Sequence, residues 1–153
     1  MPAIIDLYAA TKELPPRERI VGLARMYLGT RYEYGGKSAH ALDGAHGVGT
    51  PGTIDCSGLV RNVYDEAFPE LGLGARDDLN VATFRVIDLF KDVEAPLNGD
   101  IICWTGHMGI VVDSTAGLFI HAPHTGDIVR VTPYATGYWS GVPSRLFRRL
   151  KTL

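Results

Sequence analysis

The chain has 153 residues, a length that suits a single domain, and 46% of them are hydrophobic, which is enough for one sizeable core. A formal net charge of −2 at pH 7 argues against nucleic acid or an anionic membrane as a partner. Two cysteines exclude a disulfide framework, although a single bridge between Cys56 and Cys103 stays open.

The N-terminal stretch MPAIIDLYAATKELPP has no basic region and reaches Asp6 after a few apolar residues, so the sequence predicts no Sec signal peptide. No apolar run approaches the length of a membrane span. We therefore expect a cytoplasmic protein, or one that leaves the cell by a route other than Sec.

The first predicted helix opens at Pro15-Pro16, continues through apolar positions at helical spacing from Ile20 to Leu28, and stops at Gly29. Residues 37–54 are rich in Gly, Ser, Ala and His and lack apolar periodicity, which predicts a long loop. Long loops in compact domains are often functional.

A second helical pattern runs from Asp55 to Pro69, and a third helix is predicted over about Leu79 to Phe90. After Pro96 the pattern changes to short strands separated by turns, at 100–104, 108–113, 117–122, 127–132 and 144–150. Helices first and strands second predict an α+β domain, with N-terminal helices packed on a C-terminal antiparallel β-sheet.

The stretch GTIDCSGLV places Cys56 directly after Asp55, the expected N-cap of the second helix. Free backbone N–H groups and the helix dipole favour a thiolate in the first helical turn and supply donors for an oxyanion. A lone cysteine is more often a buried structural thiol, so a catalytic role for Cys56 requires a base.

Two histidines are candidates, because His107 begins one predicted strand and His121 ends the next. Neighbouring antiparallel strands can bring two such imidazoles together, one as base and one to orient it. Either residue alone is typical of a polar strand end. A zinc site from His40, His46, His121 and His124 also stays open, although their spacing lacks the usual paired-ligand pattern.

Several short motifs occur in an order that resembles the NlpC/P60 family of papain-like cell-wall peptidases, from about Ile20 to Arg149. They are RYEYGG, DCSGLV, LNGDIICW, HMGIVVD, LFIHA and a late YW before SRLFRRL. The resemblance implies one NlpC/P60 catalytic domain over residues 1–153 with a papain-like fold, and a thiol hydrolase that needs no metal or cofactor.

The resemblance also assigns roles, with Cys56 as nucleophile, His107 as general base and His121 as the orienting third residue. Tyr32 resembles the family tyrosine whose hydroxyl helps to bind the oxyanion, and simple packing is its alternative role. We expect Tyr34 to be structural.

The stretch ARDDLN resembles an Arg-Asp-Ser segment with which some family members hold the ammonium group of the substrate. Arg76 and Asp77 match this segment, while Asp78 replaces the serine, and paired aspartates are also ordinary helix caps. Asp55 and Ser57, which flank the nucleophile, are expected to contact the substrate as well.

The implied substrate is a peptidoglycan stem peptide or muropeptide, cleaved at the D-γ-glutamyl–diamino acid bond through a thioester. A phage or a non-Sec secretion system is the implied delivery apparatus to the cell wall or periplasm, and an inhibitor protein is a further implied partner. The alternatives are a CHAP-like N-acetylmuramoyl-L-alanine amidase and a non-catalytic binding module. The motif DCSG and a histidine as third residue favour the peptidase over the amidase. The loop at 37–54, longer than the family pattern, is expected to border the cleft or to be a surface insertion.

Overall fold

The protein is described here by a computed structural model that covers residues 3–42 and 52–153. The helices in these ranges are α1 (Ile4–Thr11), α2 (Pro16–Met26), α3 (Cys56–Ala67) and the one-turn α4 (Val81–Phe84). The strands are β1 (Arg31–Tyr32), β2 (Thr53–Ile54), β3 (Phe90–Val93), β4 (Ile101–Trp104), β5 (His107–Asp113), β6 (Leu118–His121), β7 (Arg130–Pro133) and β8 (Leu146–Leu150).

The main sheet of the described chain has the order β3-β8-β4-β5-β6-β7, and every neighbouring pair in it is antiparallel. Helix α3 packs on β5 near the middle of this sheet, and α2 packs on α3. The α+β prediction, with N-terminal helices on a C-terminal antiparallel sheet, is confirmed. The arrangement brings the N-terminus of α3 to the strands that carry the histidines.

Both faces of the sheet are covered. On the helix side, residues such as Leu23, Leu59 and Ile110 form the main core with no more than 2% exposure. On the other side, a smaller aromatic cluster is built around Trp104 and Phe119. All four residues of β4 are buried, as expected for a central strand with both faces covered.

Helices α2 and α3 begin as the sequence predicts. Pro16 occupies the first turn of α2, where its missing N–H costs no hydrogen bond. Asp55 caps α3 by accepting a 2.6 Å hydrogen bond from the backbone N–H of Gly58. A side chain at Gly58 would meet the Gly36 carbonyl oxygen 2.5 Å from its Cβ, so only glycine lets the two segments approach this closely.

A small parallel ladder holds the segment before the long loop against the segment after it. Arg31 pairs with Thr53 and Tyr32 pairs with Ile54. A few residues further in, Ala39 N–H donates to the Thr53 carbonyl at 3.1 Å. The two ends of the loop are therefore fixed beside the start of α3.

Asp100 ties α2 to the sheet from a fully buried position. Its carboxylate accepts hydrogen bonds from Arg17 at 3.1 Å and from Arg149 at 2.9 Å, and also from the backbone N–H of Leu97. Two guanidinium groups and one N–H offset the cost of burying the charge. Asp100 is thus a structural residue of the strand start.

The third helix predicted over Leu79 to Phe90 is wrong in extent, because only Val81–Phe84 is helical and β3 begins at Phe90. The guanidinium of Arg148, on β8, donates to the backbone carbonyls of Phe84, Ile87 and Phe90. These contacts from a distant strand satisfy carbonyls that a longer helix would have satisfied internally. Helix α1 was not predicted.

Within the described ranges, no helix has both the length and the apolar character that a bilayer crossing requires.

Candidate active site

Cys56 is the first residue of α3, and its half-buried thiol lies against the start of β5. The backbone N–H groups of Met108, Ser57 and Cys56 itself lie near the sulfur and favour its thiolate form. Met108 directly follows His107, so the helix N-terminus faces the beginning of the histidine-bearing strand. The predicted placement of Cys56 at a helix N-terminus is confirmed.

The predicted depression of the Cys56 pKa is wrong. Burial raises the pKa of the thiol to about 11, the negative charge of Asp55 adds to that rise, and the three backbone N–H groups oppose it only in part. The helix terminus cannot compensate for burial and a neighbouring carboxylate at the same time. At neutral pH the resting group is therefore a thiol.

His107 and His121 lie side by side on β5 and β6. Nε2 of His107 is 2.7 Å from Nδ1 of His121, and Nε2 of His121 is 2.8 Å from Oγ1 of Thr132. His107 is 8% exposed and His121 is 1% exposed. The structure thus brings the two predicted histidines together and extends the chain of polar contacts to a threonine on β7.

An indole covers the histidine pair. The ring of Trp139 stacks on that of His107, with centroids 4.5 Å apart and an angle of 13° between the planes. Phe119 stacks on His121 with a centroid distance of 4.3 Å. Apolar surroundings of this kind disfavour a charged imidazole. Burial accordingly lowers the pKa of His107 to about 4 and that of His121 to about 3.

Acid is expected to destabilise the fold as the pH falls from about 6.5 towards 4. Above pH 6.5, the ordinary value, both histidines are neutral in the folded and unfolded states. Below pH 6.5 the unfolded chain binds protons that the buried imidazoles do not bind, so the free energy of unfolding falls. For His107 alone the difference corresponds to on the order of 3 kcal/mol. Urea unfolding at pH 7 and pH 4.5 measures this loss.

The variant His121→Asn should show a smaller loss of unfolding free energy between the two pH values. The exposed His124 provides the control, since His124→Asn removes only a smaller charge contribution, leaves the burial of the pair intact and should keep most of the loss. Equal pH dependence in wild type and His121→Asn would contradict the expectation.

A groove of about 570 Å³ opens beside the nucleophile candidate. Cys56 lies on its surface, together with Tyr32, Lys37, Asp77 and Arg85. Burial raises the pKa of Tyr32, and negative charge at Cys56 and Asp55 adds to that rise. A substrate in the groove would therefore meet the sulfur and a protonated phenol together.

The predicted substrate-binding residues divide into two groups. Asp55, Ser57 and Asp77 line the groove, whereas Arg76 does not. The guanidinium of Arg76 is instead bound by both carboxylate oxygens of Asp78, at 2.9 and 2.6 Å. Asp78, which replaces the expected serine, thus neutralises the arginine beside it.

Tyr34 corrects another expectation, because its side chain is not packed inside the protein. It is 87% exposed at the rim of the groove. Tyr34 lies within the turn that the Gly36 N–H closes by donating to the Glu33 carbonyl.

The other two histidines of the described ranges, His40 and His124, lie apart from this pair. His40 lies 3.6 Å from Glu66 and does not line the groove, while His124 is exposed and lies 3.5 Å from Asp127. His46 lies outside the described residues, as does Asp43. In the parts of the chain that are described, no group of three or more His, Cys, Asp or Glu side chains could hold a metal ion. Cys56 and Cys103 are both free thiols.

Three residues of the site were not predicted, namely Lys37, Thr132 and Trp139. Thr132 is paired with Phe119 across β6 and β7, one step diagonal from His121, and strand register could have indicated it. The YW dipeptide was noted as a motif, but its contact with His107 depends on a 3-10 helix at Tyr138–Gly141.

Comparison with known proteins places the chain in a family. The model of the NlpC/P60 family matches residues 29–147, and the chain belongs to that family. A comparison with curated proteins gave no match.

Solved structures agree with this assignment. The chain is similar to the NlpC/P60 domain of the peptidoglycan hydrolase SagA, with 29% identity and a TM-score of 0.53 over 84% of this chain and 93% of that one. It is also similar to the peptidoglycan hydrolase RipB from Mycobacterium tuberculosis, with 21% identity and a TM-score of 0.60 over 97% and 82% of the two chains. An NlpC/P60 family protein from Bacillus cereus shares 19% identity at a TM-score of 0.63, over 88% of this chain and 40% of that one. The chain therefore has the fold of NlpC/P60 peptidoglycan hydrolases.

Proposed function

We propose that the protein is a cysteine peptidase that hydrolyses peptidoglycan stem peptides at the D-γ-glutamyl–diamino acid bond. The observation that carries the proposal is the position of Cys56, whose thiol lies at a helix N-terminus, beside the histidine-bearing strand and on the groove. The family match supports the reaction class. The names of SagA and RipB support a peptidoglycan substrate.

The histidine pair supports a base with a fixed tautomer. If Nε2–H of His121 donates to Thr132, its Nδ1 accepts from Nε2–H of His107, which leaves Nδ1 of His107 as the lone pair that receives a proton. His107 is then the general base, His121 the orienting residue, and Thr132 positions His121.

In the proposed reaction the thiol proton passes to His107 while the sulfur of Cys56 attacks the carbonyl carbon. Because burial raises the pKa of the thiol and lowers that of the imidazole, this transfer accompanies attack instead of preceding it. His107 returns the proton to the leaving amine. Water then hydrolyses the thioester, with His107 again as base.

The oxyanion of each tetrahedral intermediate needs donors that are already in place. The backbone N–H of Cys56 at the helix terminus is one, and the Tyr32 hydroxyl is the other. The raised pKa of Tyr32 keeps its proton available at neutral and alkaline pH.

The variant Tyr32→Phe is expected to lower kcat by about a hundredfold with a small change in KM, because one oxyanion donor is lost. Steady-state kinetics on a defined muropeptide measures both constants. Tyr34→Phe is the matched control, because this exposed phenol lies at the rim of the same groove. Equal kcat values for Tyr32→Phe and wild type would assign Tyr32 to packing.

The proposed bond is tested by incubating the protein with purified peptidoglycan fragments and identifying the products by mass spectrometry. New termini at D-glutamate and at the diamino acid are expected. Cleavage between N-acetylmuramic acid and L-alanine would instead indicate the amidase alternative. Absence of any cleavage would indicate a binding module.

A further inference from the structure

We propose that Lys37 determines substrate specificity by placing its own ammonium group against Asp55, so that the groove takes stem peptides whose amino terminus is acylated. The inference deepens the proposed function and rests on it. It concerns the end of the substrate that precedes the scissile bond, and it assigns a role to a residue of the long loop.

The contacts of Lys37 are the first step. Its Nζ atom donates to Oδ1 and Oδ2 of Asp55 at 3.2 and 3.3 Å and lies 3.4 Å from Oγ of Ser57. The lysine side chain is 26% exposed and lines the groove beside Cys56. A fixed cation therefore lies on the groove surface, bound to the two residues that flank the nucleophile.

The contacts of the Asp55 carboxylate are the second step. Besides Lys37, the carboxylate accepts the N-cap hydrogen bond from Gly58 and contacts the Ser57 hydroxyl at 3.4 Å. Its charge is paired with Lys37, and its Oδ1 atom accepts from Lys37, Ser57 and Gly58 while Oδ2 accepts from Lys37. A substrate amine that approached Asp55 would find its counter-ion already bound and would meet a like charge.

The other charged side chains on the groove do not make it favourable for a substrate amine. Arg85 also lines it, and its guanidinium donates to the Ser144 carbonyl, which leaves its charge uncompensated by that contact. Asp77 is the other carboxylate on the groove, but its side chain is exposed to solvent, where a single ion pair contributes little. Near Cys56 the groove is thus suited to a neutral amide and not to an ammonium group.

The acyl half of the proposed substrate ends in L-alanine, whose nitrogen is a neutral amide while the stem is attached to the glycan. Once the stem has been released, the same nitrogen is a charged amine. The inference therefore assigns this protein to stems still joined to their sugar, or otherwise acylated, and not to free peptides.

The test compares two tetrapeptides, L-Ala-D-γ-Glu-diamino acid-D-Ala and its N-acetylated form. For wild type we expect kcat/KM on the free amine to be about tenfold below that on the acetylated peptide. Lys37→Met should raise the ratio of free amine to acetylated peptide at least about tenfold, since it leaves the Asp55 carboxylate without its counter-ion. Lys37→Arg, which keeps the cation, should keep the wild-type ratio. Lys91→Met, an exposed lysine on β3 outside the groove, is the control.

A wild-type preference for the free amine would overturn the inference, as would a ratio that does not change in Lys37→Met. Either result, with both peptides cleaved at the expected bond, leaves the proposed function standing. If neither peptide is cleaved, the proposed function fails. Calorimetric binding of both peptides to the Cys56→Ala protein then still decides the inference and needs no Lys37 variant. Tighter binding of the acetylated peptide supports it, and equal, reversed or absent binding overturns it.

Discussion

The variant Cys56→Ala is expected to lose hydrolysis of muropeptides, with kcat reduced by about 10⁴-fold or more. The sulfur forms the covalent bond in the proposed reaction, and a methyl group cannot replace it. The residual rate would come from binding and from the oxyanion donors, which the substitution leaves in place. Steady-state kinetics measures kcat, and mass spectrometry of the wild-type enzyme mixed with substrate shows the acyl adduct on Cys56.

Cys103 provides the matched control for this experiment. Its side chain is fully buried in β4, and it does not line the groove. Cys103→Ala is expected to keep wild-type kcat at temperatures where the variant remains folded. Retained activity in Cys56→Ala, above all an activity that depends on added metal, would contradict the proposed mechanism.

The variant Asp100→Ala is expected to lower the free energy of unfolding by about 3–5 kcal/mol, the largest stability effect we expect in this protein. It removes the partner of two guanidinium groups, those of Arg17 and Arg149, and the acceptor of the Leu97 N–H. Both arginines then keep charges that are largely shielded from water, at 28% and 18% exposure. Urea unfolding followed by circular dichroism measures the loss.

Asp92 is the control for Asp100. Its side chain is 64% exposed, and its partner Arg148 keeps three carbonyl acceptors when the carboxylate is removed. Asp92→Ala should therefore cost less than about 1 kcal/mol. A similar, small loss in both variants would show that the buried network contributes little net stability.

Local signals in the sequence are enough to predict the parts of the site that lie on helices and strands. The N-cap at Asp55 and the helical pattern that follows it each specify a structure within a few residues. The order of short motifs then linked Cys56 with His107 and His121. The two histidines are in contact, a pairing that follows from two adjacent antiparallel strands.

Three of the failures share a physical cause, because each depends on residues far apart in the chain. The predicted helix to Phe90 ends early, because the guanidinium of Arg148 donates hydrogen bonds to the backbone carbonyls of Phe84 and Phe90. The helix terminus alone predicts a lowered pKa for Cys56, whereas burial by the folded chain raises it. Lys37 carries no local signal at all. Its ammonium meets Asp55 only because Gly36 hydrogen-bonds to the residue that caps α3.

The small ladder between β1 and β2 bears on how such a protein can diversify. It clamps the chain on both sides of the loop, and Asn62 on α3 adds hydrogen bonds to the Lys37 and Ala39 carbonyls at 3.1 and 3.0 Å. The entropic cost of lengthening a loop grows only slowly with its length. Insertions between the two ends of this ladder therefore cost little free energy and leave Cys56 in place. Related chains can thus differ in the length and sequence of this loop while the nucleophile candidate keeps its position.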